Sequence, residues 1–259
     1  MHVAPVAGTH LHYRLDGDRA ARVLVLSNSL GTTLDMWEPQ AAALAQRNCV
    51  LRYDTRGHGQ SGVPPGPYTI DTLGRDVVAL LDHLEIARAA FCGLSLGGMT
   101  GMWLGVHAPQ RITRLVLANT SACMGAPAAM DERIAAVTAG GVAAIAPAVL
   151  GRWFTPAFAA REPARVAAVK AMLDGSPAVG YVACCHAIRD MDQRADVARI
   201  GVPTLVVTGT HDTSTPPSAG RFLADRIPGA RYVELPAAHL SNIEAAPEFN
   251  AALSAFLAD

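Results

Sequence analysis

The sequence of 259 residues is poor in lysine, in charge and in long apolar runs, and each shortage excludes a class of function. Lys170 is the only lysine and the net charge is −1, so we expect no nucleic-acid partner and no anionic membrane surface. No apolar run approaches the roughly 18 residues of a membrane span, and the N-terminus lacks the pattern of a signal peptide. Apolar residues nevertheless make up 51% of the chain, which is typical of a globular protein with a large core.

The five cysteines are an odd number and include no C-x-x-C pair. We therefore expect reduced thiols and a cytoplasmic location. Adjacent Cys184 and Cys185 fall in a helical pattern, where cysteine usually serves as a small core residue, and a redox pair is the alternative. The nine histidines show no metal-site spacing, and the glycines match no nucleotide-binding motif, so we expect no metal and no cofactor.

Short apolar runs alternate with helical patterns in the first and last parts of the chain. Strands are predicted over residues 3–15, 22–27, 49–53, 88–92, 114–118, 204–208 and 230–235. This alternation predicts an α/β fold with a mostly parallel central sheet and helices on both faces. Between residues 122 and 195 the strands stop and proline-broken helical segments take over. We therefore predict a core of residues 1–121 and 196–259, with residues 122–195 inserted as a helical cap.

The segment AFCGLSLGGMTG, residues 90–101, places one serine among glycines, between a predicted strand and a predicted helix. Gly93, Ser95 and Gly97 form the pattern G-x-S-x-G, which in this setting is typical of a nucleophile elbow. The sharp turn strains the serine backbone by about 1–3 kcal/mol but presents its hydroxyl above the sheet edge. We predict Ser95 as the nucleophile and the Leu96 amide as an oxyanion donor. A chance glycine-rich turn is the alternative.

A serine nucleophile needs a base, and two later strand ends supply a histidine and a carboxylate. His239 and Asp212 each lie a few residues past a predicted strand, at the sheet edge where ligands bind in parallel sheets. We predict His239 as general base and acid, and Asp212 as the carboxylate that orients it. The alternative uses His211 as the base and Asp190 or Asp192 as the acid, none of which has the same placement.

Two further loops contain candidate functional residues. The loop after the strand at residues 22–27 should supply a second oxyanion donor, and the Leu30 amide is placed to give it. Asn28 and Ser29 are interpreted as braces of that loop, with direct substrate binding as the alternative. The loop over residues 54–59, DTRGHG, is interpreted as structural, with metal or phosphate binding as the alternative.

Together these residues resemble the α/β-hydrolase superfamily over essentially the whole chain, and within it the 3-oxoadipate enol-lactonase family. The resemblance rests on LSNSLGTTLDMW, LRYDTRGHGQSGVPPGPYTIDTLGRDVVALLDHL, FCGLSLGGMTGMWLGVHAP, LVLANTSA, GRWFTPAF, YVACCHAIRDMDQR and ELPAAHLSNIEAAPEFN. It implies an α/β-hydrolase fold with a helical cap. It also implies hydrolysis of a small lactone that carries a carboxylate, through an acyl-enzyme, in the β-ketoadipate pathway of aromatic catabolism.

The same resemblance implies that the cap binds the substrate carboxylate. Arg133 is the predicted partner and Trp153 is predicted to line the pocket, while Arg152 and Arg189 are the alternatives to Arg133. The family often carries a tryptophan three residues before this arginine, where the present chain has Met130. That departure concerns the shape of the pocket rather than its chemistry.

Other functions are compatible with the same predicted triad. A generalist carboxylesterase or a cofactor-free perhydrolase would use the same three residues, and a non-catalytic binding protein of this fold is a further alternative. The sequence does not define an oligomeric state.

Overall fold

The computed structural model describes residues 2–258, which fold around one eight-stranded sheet. Its strands are β1 (Val3–Val6), β2 (Thr9–Asp16), β3 (Val23–Ser27), β4 (Cys49–Tyr53), β5 (Ala89–Leu94), β6 (Ile112–Ala118), β7 (Thr204–Gly209) and β8 (Arg231–Leu235). They lie in the order β1-β2-β4-β3-β5-β6-β7-β8. The strands from β3 to β8 run parallel, and β2 pairs antiparallel with β1 and β4. The predicted α/β fold with a mostly parallel sheet is confirmed.

Eleven α-helices accompany this sheet within residues 2–258. They are α1 (Glu38–Leu44), α2 (Ile70–His83), α3 (Leu96–His107), α4 (Ala128–Gly140), α5 (Ala146–Trp153), α6 (Pro156–Arg161), α7 (Pro163–Asp174), α8 (Ala178–Asp190), α9 (Pro217–Arg226), α10 (Ser241–Glu244) and α11 (Ala246–Ala258). Every residue of β4, β5 and β7 is buried, which explains why these strands are mostly apolar. Arg52 of β4 is the charged exception among them and pairs with Asp16 at 2.7 Å. Within residues 2–258, no helix combines the length and the apolar character that crossing a membrane requires.

Helices α4 to α8 follow one another between β6 and β7, in the segment for which the sequence predicts a cap. The isolated bridge between Cys123 and Asp192 joins the two ends of this segment. The contacts place the segment over the carboxyl edge of the sheet, because the Leu240 amide donates to the Trp153 carbonyl oxygen at 3.1 Å. The exact domain boundaries stay a prediction.

Two local predictions need correction. The single strand predicted over residues 3–15 is a hairpin of β1 and β2, because a turn at Ala7 and Gly8 folds one half of the segment back on the other. The sequence analysis also missed α9, whose start is marked by Pro216 and Pro217. Proline at the first helical position is favourable because its fixed φ suits the helix and its missing amide needs no partner there.

Candidate active site

Ser95 occupies the sharp turn between β5 and α3, as the elbow pattern predicts. Its backbone lies at φ 57° and ψ −114°, a strained conformation for a residue with a side chain. Neighbouring chain segments hold it there, since the Ser95 amide donates to the Ala118 carbonyl oxygen at 2.9 Å. The Thr120 hydroxyl donates to the Ser95 carbonyl oxygen at 2.8 Å. The end of β6 therefore fixes both sides of the serine peptide.

Glycines beside Ser95 allow the backbone to pack closely enough to support the turn. A Cβ on Gly93 would lie 2.1 Å from the Gly97 carbonyl oxygen. A Cβ on Gly97 would lie 2.2 Å from the Ser27 carbonyl oxygen at the end of β3. Both contacts are too short for any side chain, so G-x-S-x-G here reflects packing of the elbow against itself and against β3.

Asp212 and His239 meet at the same edge of the sheet. His239 Nδ1 lies 2.8 Å from Asp212 Oδ2, and both residues are buried. The other Asp212 oxygen accepts from the amides of Ser214 at 2.8 Å and Thr215 at 3.0 Å. Burial opposes ionisation of Asp212, but the charge of His239 and hydrogen bonds from His239 and Asn119 outweigh it and lower the pKa of Asp212 to about 2. An ionised carboxylate only accepts, so His239 Nδ1 carries the proton and Nε2 is free to take another.

The third link of the predicted triad is the one between Ser95 and His239. In the part of the chain that the structure describes, the Ser95 hydroxyl makes no hydrogen bond. Catalytic hydrogen bonds in unliganded enzymes are often long and shorten when substrate binds. The structure therefore joins Asp212 to His239 directly, and the complete triad stays a prediction.

Asn119 is a buried residue of this site that the sequence analysis missed. Its side-chain amide donates to Asp212 Oδ2 at 3.0 Å and to the Ala238 carbonyl oxygen at 3.3 Å. The Ser241 hydroxyl donates to its side-chain oxygen. Asn119 directly follows β6 and has a φ of 42°, so the chain turns sharply to aim it at Asp212. The signal that could have found it is a polar residue directly after an apolar strand.

The amides of Leu30 and Leu96 are the predicted oxyanion donors. Both residues are buried, at 5% and 1% exposure, and within residues 2–258 neither amide has a hydrogen-bond acceptor. Buried amides without an acceptor are rare in folded proteins because each one costs free energy. Two of them, on the loops after β3 and β5, fit a site that awaits a ligand oxygen.

Asn28 braces the loop that carries Leu30. Its side chain donates to the Tyr53 carbonyl oxygen at 2.8 Å and accepts from the Trp37 indole at 3.0 Å. Its carbonyl oxygen accepts from the Gly97 amide at 3.0 Å, which ties this loop directly to the elbow. The polar atoms of Asn28 are therefore engaged in holding the loop, in agreement with its interpretation as a brace.

A pair of arginines and a tyrosine face one another within helices α4, α5 and α8. Arg133 and Arg152 form no salt bridge with any described residue. Burial lowers the pKa of Arg152, and the like charge of Arg133 lowers it further. Burial raises the pKa of the Tyr181 hydroxyl, while both guanidinium groups oppose this rise, so all three groups lie close together. The cluster is positively charged and lacks a protein counter-ion.

This cluster lies against the loop that carries the Leu30 amide. A Cβ on Gly31 would lie 2.9 Å from Tyr181 Cε2 and 2.6 Å from Leu173 Cδ1. Gly31 also has a φ of 78°, which glycine adopts without strain. The close approach of Tyr181 to Gly31 brings the two arginines to the same side of the molecule as the predicted oxyanion hole.

Arg189 and Trp153, the other two cap residues considered for substrate binding, differ in their surroundings. Arg189 is neutralised by Asp131 at 2.9 Å and Asp190 at 2.7 Å, so its charge is already paired. Trp153 ends α5, is buried, and is tied through its carbonyl oxygen to the Leu240 amide next to His239. Arg189 is thus a poor candidate for an incoming anion, whereas Trp153 lies beside the predicted base.

The alternative acid and base residues lie outside this cluster. His211 is exposed, while the neighbouring Asp212 is buried. Asp190 pairs with Arg189, and Asp192 pairs with Arg194 at 2.6 Å on the surface. None of these side chains has the buried carboxylate–imidazole contact that Asp212 makes.

The comparisons with known proteins agree with this architecture. The sequence profile of the alpha/beta hydrolase fold matches residues 22–246, and the chain belongs to this family. Among its relatives, 3-oxoadipate enol-lactonase 2 of Acinetobacter baylyi is 42% identical over 247 residues, which are 95% of this chain and 92% of that protein. The 3-oxoadipate enol-lactonase 1 of the same organism is 37% identical over 250 residues, covering 96% and 94% of the two chains.

A solved structure gives the same picture in three dimensions. The enol-lactonase from Burkholderia xenovorans is 49% identical to this chain, with a TM-score of 0.98 and 100% coverage of both chains. The family resemblance predicted from the sequence is confirmed.

Proposed function

We propose that this chain hydrolyses 3-oxoadipate enol-lactone to 3-oxoadipate, as the names of its relatives indicate for them. The observation that carries the proposal is the pair Arg133 and Arg152, which has no acidic partner within residues 2–258 and lies against the loop of the Leu30 amide. A lactone with a free carboxylate presents to such a site one anion and one carbonyl. The site has groups suited to both.

Acylation begins with Ser95. His239 Nε2 takes the proton of the Ser95 hydroxyl as the oxygen attacks the lactone carbonyl carbon. The amides of Leu30 and Leu96 stabilise the oxyanion that forms, and each donor is worth roughly 10²–10³ in rate. The ring C–O bond then breaks, and the oxygen departs as an enolate. The proton that His239 took from Ser95 passes to the enolate carbon, directly or through water, so the product becomes a ketone and His239 is neutral again. An enolate leaves easily, so this step needs little acid assistance.

Deacylation uses the same groups with water as the nucleophile. His239 takes a proton from water, and the resulting hydroxide attacks the acyl carbon held by Ser95. Collapse of the second tetrahedral intermediate breaks the bond to the Ser95 oxygen, which recovers its proton from His239. Asp212, which is ionised, stabilises the imidazolium in both halves of the reaction. The product 3-oxoadipate leaves with two carboxylates.

The free carboxylate of the substrate binds Arg133 in this proposal. Arginine can meet a carboxylate with two parallel hydrogen bonds, which fixes both position and orientation. Arg152 contributes a second positive charge, and Trp153 forms the apolar wall beside His239. An anion between the two guanidinium groups also removes their mutual repulsion, so substrate binding and relief of that repulsion act together.

The proposal places the enzyme in the cytoplasm. All five cysteines are free thiols, and four of them are buried. Unpaired thiols are the usual state in a reducing compartment.

The test is hydrolysis of the purified lactone, followed by its ultraviolet absorbance, beside 4-nitrophenyl acetate hydrolysis and peracid formation. We expect kcat/KM for the lactone to exceed that for the neutral ester by at least about 10²-fold, because only the lactone uses the arginine pair. Ser95→Ala should lower turnover of both substrates by roughly 10⁶ with an unchanged melting temperature. A faster reaction with the neutral ester or peracid would replace lactonase by esterase or perhydrolase. Retained activity of Ser95→Ala would remove the covalent mechanism.

A further inference from the structure

The loop over residues 54–62, which follows β4, holds the loop that carries the Leu30 amide. Asp54 Oδ1 accepts from the Leu34 amide at 2.8 Å. His58 Nε2 accepts from the Gly31 amide at 3.0 Å. The motif DTRGHG therefore has a second role beyond its own turn, since two of its side chains bind backbone amides of the neighbouring loop.

The hydrogen bonds of His58 define its tautomer. The Gly31 amide can only donate, so Nε2 of His58 carries the lone pair and the proton is on Nδ1. Nδ1 lies 3.3 Å from the Arg56 carbonyl oxygen, which accepts that proton. The imidazole is 1% exposed, and burial lowers the pKa of His58, so the ring stays neutral and keeps its acceptor at neutral pH. Its Nε2 is thus a fixed acceptor beneath Gly31.

The position of Gly31 determines where the Leu30 amide points. The Leu30 carbonyl and the Gly31 amide share one rigid peptide plane, so fixing that plane constrains the backbone of Leu30 itself. The Thr32 amide closes the same turn on the Ser29 carbonyl oxygen at 3.2 Å. The hydrogen bond to His58 is the side-chain anchor of the peptide that immediately follows the predicted oxyanion donor.

We propose that His58 is a positioning residue for the oxyanion hole: it holds the Gly31 peptide and thereby aims the Leu30 amide at the developing negative charge. This inference rests on the proposed function, because it assumes that the Leu30 amide stabilises the tetrahedral intermediate. His58 contacts neither substrate nor Ser95 in this scheme. Its effect is transmitted through one hydrogen bond and one peptide plane.

Three variants separate this role from simple core packing. His58→Gln keeps an oxygen that can reach the position of Nε2, whereas His58→Asn is equally polar but too short, and His58→Ala removes the side chain. With 4-nitrophenyl acetate we expect His58→Asn and His58→Ala to lower kcat by about 10–10²-fold at nearly constant KM. Removing an oxyanion donor altogether lowers kcat by about 10²–10³-fold, and a displaced donor should cause part of that loss. We expect His58→Gln to restore kcat to within a few-fold of the wild type.

A second measurement makes the test independent of turnover. A boronic acid that adds to Ser95 forms a tetrahedral anion, and its affinity should fall in His58→Asn by the same factor as kcat. The affinity for 3-oxoadipate, which forms no such adduct, should stay unchanged. Equal kcat for the Gln and Asn variants, or equal loss of affinity for both ligands, would overturn the proposal.

The neutral ester also keeps the two proposals apart. If Ser95→Ala abolishes ester hydrolysis while the three His58 variants behave alike, only the role of His58 fails. If Ser95→Ala retains ester hydrolysis, the Ser95 mechanism is rejected. The role of His58 is then rejected with it, because no oxyanion forms on a Ser95 adduct.

Discussion

At the carboxyl edge of the sheet, Asp212 accepts hydrogen bonds from His239, Asn119 and the turn at Ser214, whereas Arg133 in the helical segment has no acidic partner among the described residues. Both regions are partly or fully buried, and both carry charge. The difference lies in what neutralises that charge. At the sheet edge the protein itself supplies the partners of the Asp212 charge, while the helical segment leaves its positive charge for a ligand.

The contrast has an energetic basis. A buried ion without a partner costs several kcal/mol, so folding normally pairs buried charges, as it does for Arg56 with Asp76. Arg133 and Arg152 are kept near each other against their mutual repulsion. A site of this kind destabilises the empty protein and favours an anionic ligand. We infer that the sheet edge determines the reaction and the helices determine the substrate.

The largest expected effect comes from breaking the sheet-edge network. In Asp212→Asn the side-chain amide can donate to His239 Nδ1, which forces the proton onto Nε2 and removes the acceptor that Ser95 needs. We expect kcat to fall by about 10⁴ for both the lactone and the neutral ester. Asp192→Asn is the matched control, since Asp192 pairs with Arg194 on the surface. A loss confined to one substrate would contradict the separation between reaction and recognition.

The next effect should be confined to the helical segment. Arg133→Met removes one charge that binds the substrate carboxylate but touches no hydrogen bond of the sheet edge. Hydrogen bonds to charged groups contribute about 1.5–3 kcal/mol, so kcat/KM for the lactone should fall by about 10–10²-fold. Hydrolysis of 4-nitrophenyl acetate should change less than about threefold.

Arg189→Met is the control for this prediction, because Arg189 lies on α8 with its charge already paired. We expect it to leave kcat/KM for the lactone within about threefold of the wild type. An equal loss for both substrates in Arg133→Met, or a larger loss in Arg189→Met, would refute Arg133 as the carboxylate partner.

The two regions also differ in how far their residues could be predicted from sequence. Ser95, Asp212 and His239 each follow an apolar strand, and parallel strands bring their carboxyl ends to one edge, so local pattern and topology together located them. The Asp212–His239 contact follows from that logic. The proximity of Arg133 and Arg152 does not, since it depends on how α4 and α5 are placed relative to each other.

Hydrogen bonds between loops could not be predicted from the sequence either. The bond from Gly31 to His58 spans 27 residues, and that from Asn119 to Asp212 spans 93. Nothing in the local sequence around either residue specifies its partner. Such hydrogen bonds become visible only when the sheet order has placed the loops side by side. Pattern analysis therefore missed Asn119 and the hydrogen bond from Gly31 to His58.

The smallest effect is on stability, and it tests the sheet edge alone. The pKa of Asp212 is lowered to about 2 in the folded protein, so its ionised form stabilises the fold at every pH above its unfolded pKa of about 3.9. That contribution is lost as the pH falls from about 4 towards 2, because the unfolded carboxylate protonates first. One pKa unit corresponds to about 1.4 kcal/mol, so the whole shift is worth about 2.6 kcal/mol, of which about 2 kcal/mol is lost by pH 2.

The measurement is the free energy of unfolding in urea between pH 5 and pH 2, for the wild type and for Asp212→Asn. Because asparagine does not titrate, the difference between the two proteins should shrink by about 2 kcal/mol across this range. Arg133→Met should leave the slope unchanged, since the substitution removes no hydrogen bond of Asp212. Parallel curves for the wild type and Asp212→Asn would show that the sheet-edge hydrogen bonds do not favour the ionised carboxylate. The network around Asp212 would then lose its role in holding His239 in the tautomer that catalysis requires.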